Sequence, residues 1–183
     1  MEELVLNETV KHTLITAGLT ELEMHGIADF SLRRVAANCN VSCAAPYKHF
    51  KDKQHFISEI IGYVDSQWKA LCSQVLDIFD GNPQKQLIEM CTAFVKFCIG
   101  NSHFRAIFIR NTEKLSITKD ILMVSENCFN AKIAADKAFR ITALVLGSVM
   151  LTGSDMQKNE QITASLKDAV TNEVNVKDFG ALY

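Results

Sequence analysis

Residues 31–50 read SLRRVAANCNVSCAAPYKHF, and this stretch decides the fold. Ser31 is placed to cap a short helix from Leu32 to Asn38, because its hydroxyl can accept from a free N–H of the first turn. Cys39-Asn40-Val41 is a tight turn. Asn40 stands where that turn needs a left-handed backbone, which asparagine tolerates better than other non-glycine residues. Ser42 is placed to cap a second short helix ending near Phe50. Two short capped helices meeting at a three-residue turn are the pattern of a helix-turn-helix. Leu32, Val35 and Ala36 share the inner side of the first helix, and the small Ala36 lets the second cross closely. Val41, Pro46 and Phe50 form the inner side of the second. Pro46 is only the fourth residue of that helix, so it forfeits at most about one helical hydrogen bond. Cys43, Ala44, Ala45, Tyr47, Lys48 and His49 are left facing outward, on a face that can enter a major groove.

The charge around this stretch agrees. Residues 31–53 carry Arg33, Arg34, Lys48, Lys51 and Lys53 against Asp52. The preceding residues 1–30 carry Lys11 against Glu2, Glu3, Glu8, Glu21, Glu23 and Asp29. A basic window in an acidic neighbourhood is the footprint of phosphate contact. A solvated helix face would show the same charges, but not the coincidence with the turn.

Outward from there the chain reads as helix almost throughout. A first helix covers about Asn7 to His25, with Leu14, Ile15, Leu19 and Leu22 at helical spacing, and stops at Gly26. Lys51-Asp52-Lys53 opens a long helix towards Phe79. Asp80-Gly81-Asn82-Pro83 breaks it. Further helices are expected over roughly 84–99, 102–110, 118–133, 136–152 and 157–172. No sustained period-two alternation points to a strand.

The 183 residues, 48% hydrophobic and 22% charged, suffice to bury a core without disulfides or metals. With 19 Lys+Arg against 21 Asp+Glu the chain as a whole is no polyanion binder. No run of 18 apolar residues exists, so no membrane span is expected. The acidic start, MEELVLNETVKH, is unlike a secretory signal, and a cytoplasmic location is expected. The six cysteines form no C-x-x-C pair and read as reduced thiols. Cys91 and Cys98 are seven residues apart, about 10 Å along one helix, too far for a disulfide within it. No nucleophile elbow, phosphate-cradling glycine loop or H-E-x-x-H occurs. The five histidines are scattered. No enzyme, cofactor or metal site is therefore expected.

Gly26, Phe30, the run Ser31 to Ala36, Val41-Ser42, Ala45 to Phe50 and Lys53 together resemble the TetR family of bacterial transcriptional regulators. The likeness is specific across about residues 8–60. Beyond it, Asn101 to Arg105 and Ala143 to Gly147 resemble a turn and a small-residue motif of that family. Three residues depart from the pattern: Asn40 for a turn glycine, Cys43 for a commonly polar residue, and Ser102 for a proline. The resemblance implies an all-α fold. Residues 1–54 would form a three-helix DNA-binding head with the helix-turn-helix. Residues 55–183 would form a helical bundle for effector binding and homodimerisation. It implies a ligand-responsive transcriptional regulator, most often a repressor on a palindromic operator, with double-stranded DNA and a small-molecule effector as partners. The alternative is a helical small-molecule binding or interaction protein whose head no longer grips specific DNA.

The resemblance also assigns roles. Ser31 and Arg33 would contact phosphates, with Ser42 at the entry to the second helix. Tyr47 and His49 would touch backbone or base edges. Cys43, Ala44, Ala45 and Lys48 would face bases, where a lysine can donate to guanine and an alanine methyl can only pack. Lys53, near a positive helix N-terminus, would bind phosphate. In the body, Phe79, Phe94, Phe97, Phe104, Phe108, Phe129, Phe139 and Phe179 read mostly as core. A family-like cavity for an apolar effector would be lined by Trp68, Met90, Cys91, Phe94, Phe108 and Met123. The stretch ITALVLGSVMLT, 141–152, is apolar nearly all round and must be buried on most sides. A four-helix contact of the last two helices with a partner copy would bury it.

Overall fold

The computed structural model describes residues 2–111 and 115–176, and Phe179 lies outside them. Every regular element among the described residues is an α-helix. Two compact units divide at Ser66 and Gln67, within one continuous helix.

In the first unit α1 spans Glu2–His25, α2 Leu32–Asn38, α3 Ala45–His49, and α4 starts at Lys53 and runs to Ile78. Gly26 ends α1 at φ +69°, its N–H donating to Leu22 O at 2.9 Å. This is the left-handed stop that glycine allows without a Cβ clash. Ser31 caps α2, accepting from Arg34 N–H. Asn40 has φ +55°, as the turn requires, and Val41 N–H donates to Ala36 O at 3.0 Å. The N-terminal half of α4 closes this unit. Phe56 stacks on Phe50 with centroids 4.1 Å apart and meets Phe30 edge-on at 5.6 Å. These aromatic contacts join Phe56 of α4 to the first compact unit, which runs to Ser66.

Two local readings change. Ser42 does not cap α3 with its side chain. The helix begins at Ala45, its cap position Ala44 makes no side-chain bond, and Ser42 contributes only its carbonyl, to Ala45 N–H at 2.9 Å. Pro46 consequently sits in the first turn, where a missing N–H costs no helical bond. The opening of α4 is capped instead by Asp52, which accepts from His55 N–H at 2.8 Å.

In the second unit α5 spans Pro83–Gly100, α6 Ser102–Asn111, α7 Ile117–Cys128, α8 Ala131–Leu151 and α9 Met156–Asn175. The break expected near 133–136 falls at Phe129-Asn130. There Phe129 is extended and the Asn130 side chain accepts from Ile133 N–H at 3.2 Å. Asn82 and Asp155 cap α5 and α9 in the same way. Leu87, Met90, Val95, Ile121, Ile141 and Val170 are among the fully buried side chains of this unit. Phe94, Phe104 and Phe108 are core as expected, whereas Phe139 is 74% exposed on α8. Its place in the core is taken by neighbours one and two residues away, Ala138 and Ile141, which face the other side of the helix. Lys137 is buried, and its ammonium donates to the carbonyls of Glu173 and Val176 at the end of α9. It satisfies free carbonyls there and lies over the Phe129 ring at 4.9 Å. No helix of the described residues is long and apolar enough to cross a membrane.

Candidate nucleic-acid interface and ligand clefts

The helix-turn-helix face is built from a buried hinge. Val35 and Ala36 have no exposure, Phe50 has 1%, and Pro46 is buried, so α3 is fixed on α2. The residues between these anchors point away. Tyr47 is 60% exposed. Cys43, Ala44, Lys48 and Ser42 are exposed, while Ala45 and His49 are half-buried. Arg33 is exposed and Ser31 half-buried at the entry to α2. Lys53 is also half-buried, and its ammonium donates to Ala28 O at 3.0 Å. Its charge is thereby held beside the connector between α1 and α2.

Not all the basic window is available to a polyanion. Glu21 is 3% exposed, and its Oε1 accepts from Ser31 N–H at 3.0 Å and from Arg34 Nε at 2.9 Å. Arg34 also donates to Asp29 O. Hydrogen bonding to Glu21 raises the Arg34 pKa further. Arg34 is therefore a structural tie between α1 and the start of α2, while Arg33 beside it is free to face outward. A faint signal for this is the position of Glu21 between Leu19 and Leu22, both buried, on the apolar side of α1.

His49 is held below its ordinary pKa, first by burial and then by the positive charges of Lys11 and Lys48. Lys11 comes from α1, where it pairs with Glu59 at 2.6 Å and stands 5.9 Å from the Phe50 ring.

In the second unit Trp68, Met90, Cys91, Phe94 and Phe108 are all buried, each at most 3% exposed. Trp68 meets Phe94 at 4.8 Å and Phe94 meets Phe108 at 4.7 Å, both edge-on. Trp68 Nε1 donates to Asp120 at 2.9 Å. Met123 is not part of this cluster. It is 48% exposed on α7, because Ile121, Val124 and Ser125 take the inward positions of that helix.

Two open clefts lie along α9. One, about 360 Å³, is walled by α5 and α9, with Lys96, Ile99, Met156, Glu160 and Ala164 among its lining. The other, about 470 Å³, is walled by α8 and α9, with Leu144, Ser148, Leu151, Ile162, Ser165 and Ala169. At 100° per residue the two sets occupy roughly opposite sides of α9.

Residues 14–60 match the family of bacterial regulatory proteins, tetR family. No curated protein sequence matches the chain. Several solved structures are similar in fold. A TetR-like transcriptional regulator from Rhodococcus sp. RHA1 has a TM-score of 0.71 at 11% identity, over 90% of this chain and 93% of its own. A TetR-family transcriptional regulator from Bordetella parapertussis 12822 has a TM-score of 0.65 at 13% identity, over 96% and 99%. HlyIIR, a hemolysin II transcriptional regulator, has a TM-score of 0.62 at 15% identity, over 92% and 96%. The chain therefore carries the N-terminal domain of the tetR family of bacterial regulatory proteins on a TetR-type all-helical fold.

Proposed function

We propose that this chain is a ligand-responsive DNA-binding regulator that acts as a homodimer, represses from a palindromic operator, and is released by a small, mostly apolar effector. The observation that carries the reading is the exposed strip of α3. Tyr47 and Lys48, preceded by Cys43 and Ala44, stand outward on a helix anchored by Pro46 and Phe50. Such a strip has the dimensions of a major-groove reader. Arg33 and Ser31 supply phosphate contacts, and Lys53 supports them from the start of α4. His49, half-buried beside Lys11 and Lys48, reaches the backbone.

A duplex-binding assay across salt tests it. One palindromic site should bind far more tightly than random duplex, and both affinities should fall steeply as salt rises. Lys48→Ala should alter sequence preference, whereas Lys53→Ala should weaken every duplex alike. Equal loss on all duplexes for Lys48→Ala would remove it as a base reader.

The dimer reading is supported by α8 and α9. Leu151, 60% exposed, lines the α8–α9 cleft, and on another face of α8 Met150 is 66% and Phe139 74% exposed. Exposed apolar side chains of this kind on α8 fit a self-complementary contact between two copies. An effector that releases DNA must itself bind the DNA-bound form more weakly. An affinity unchanged by operator would disqualify a candidate effector. Binding at Trp68, Phe94 and Phe108 would require those rings to part.

A further inference from the structure

The α5–α9 cleft is distinct from the aromatic cluster, and its polar groups can be accounted for one by one. Thr92 donates to Ile88 O and Thr163 to Asn159 O, each at 2.8 Å. The Asn159 amide is used at both ends, accepting from Gly153 N–H at 3.0 Å and donating to Gly153 O at 2.8 Å. Lys167 pairs with Glu89 at 2.8 Å, and Lys85 pairs with the same carboxylate at 3.0 Å. What remains is an apolar floor of Ile99, Met156 and Ala164 with two charged side chains, Lys96 on α5 and Glu160 on α9. Both are exposed, and neither makes an ion pair or hydrogen bond among the described residues.

Two ties show how the helices run. Glu89 on α5 pairs with Lys167 far along α9, and Arg105, just past the end of α5, donates to Thr152 O, just before the start of α9, at 3.0 Å. Advancing from Glu89 to Lys96 on α5 and retreating from Lys167 to Glu160 on α9 covers the same number of residues. Since 1.5 Å per residue applies to both, Lys96 and Glu160 stand at the same level of antiparallel helices, across the cleft from each other. A free cation and a free anion therefore flank an apolar recess of about 360 Å³, at the small end of the range for ligand pockets.

We propose that this cleft binds a small zwitterion with an apolar body, of the class of the large apolar α-amino acids. Its carboxylate meets Lys96, its ammonium meets Glu160, and its side chain lies on Ile99, Met156 and Ala164. A simple anion would be attracted by Lys96 but repelled by Glu160, and a simple cation the reverse. Only a ligand carrying both charges satisfies both groups. This site does not depend on the DNA-binding reading, since its occupancy is measured without DNA.

Calorimetric titration of the full-length protein with L-phenylalanine, phenylpropionate and phenethylamine tests the proposal. L-Phenylalanine should bind about tenfold more tightly than either analogue, the effect of one hydrogen bond to a charged group. Lys96→Met should erase the preference over phenethylamine while keeping that over phenylpropionate. Glu160→Gln should do the opposite. Ala164→Trp, which fills the floor, should abolish binding while circular dichroism reports an unchanged helix content. Absence of L-phenylalanine binding, no preference over the analogues, or preferences that survive both charge substitutions would overturn the proposal.

Discussion

At the scale of single residues, the turn depends on Asn40. With φ at +55°, it occupies a region that costs a residue with a Cβ and no helpful polar group about 1 kcal/mol or more. Asn40→Ala should lower stability by about that amount, and Asn40→Gly should leave it nearly unchanged, as measured by thermal unfolding. His49 gives the head a pH dependence. Unfolded, it titrates near the ordinary value of about 6.5. Folded, burial and the charges of Lys11 and Lys48 lower its affinity for a proton. As pH falls through that value the unfolded chain takes up the proton first. The stability contribution of neutral His49 is thus complete above about pH 6.5 and is lost below it, down to the folded pKa. Urea midpoints should decline across that window, and His49→Gln should flatten the decline. The charge pattern could not distinguish Arg33 from Arg34, because adjacent residues look alike in sequence. Only the fold brings Glu21 within reach of one of them.

At the scale of helices, burial decides the chemistry of the thiols. Cys72 on α4 is pushed up to about 12, by burial first and then by Asp120. Cys98 on α5 is pushed up to about 12 by burial, against the opposing charge of Arg105. Cys91 is fully buried and is pushed up as well. Thiolates are the reactive form, so these three should resist alkylation in the folded protein near pH 8. Exposed Cys43 should react first. Mass spectrometry of iodoacetamide-treated protein reads the order, and rapid labelling of Cys91 would contradict the packing of α5. The helices themselves were legible wherever glycine, proline or a cap marked an end: Gly26 and Ser31 fall where expected, and Pro83, expected in the break, opens α5. The α7–α8 boundary was not, because no glycine or proline marks it and the break is made by Phe129 and Asn130 alone, both extended. Met123 was misplaced for a related reason. Its neighbours Ile121 and Val124 are equally apolar, and a shift of one or two residues turns a helix face by 100° or 200°.

At the scale of the whole molecule, the dimer proposal makes a direct demand on the exposed apolar residues of α8. Leu151→Glu introduces a charge at the α8–α9 cleft, where two copies would bury it without a partner. Sedimentation should show the unaltered protein as a dimer and the variant as a monomer, with operator affinity lost in parallel. A monomeric unaltered protein would end the dimer proposal. Paired heads should also protect two half-sites about 34–36 Å apart in a footprint.

The sequence by itself determined the helical class and the helix-turn-helix. Both follow from signals confined to a few adjacent residues: periodic apolar positions, a capping serine, and an asparagine in a left-handed turn. The tertiary structure alone decided which cations are tied down and which are free. It also separated a packed aromatic interior from the open clefts, and brought Lys96 opposite Glu160. These facts depend on distances between residues far apart in the chain, and apolar periodicity looks the same whether a face meets a neighbouring helix, a cavity or another copy.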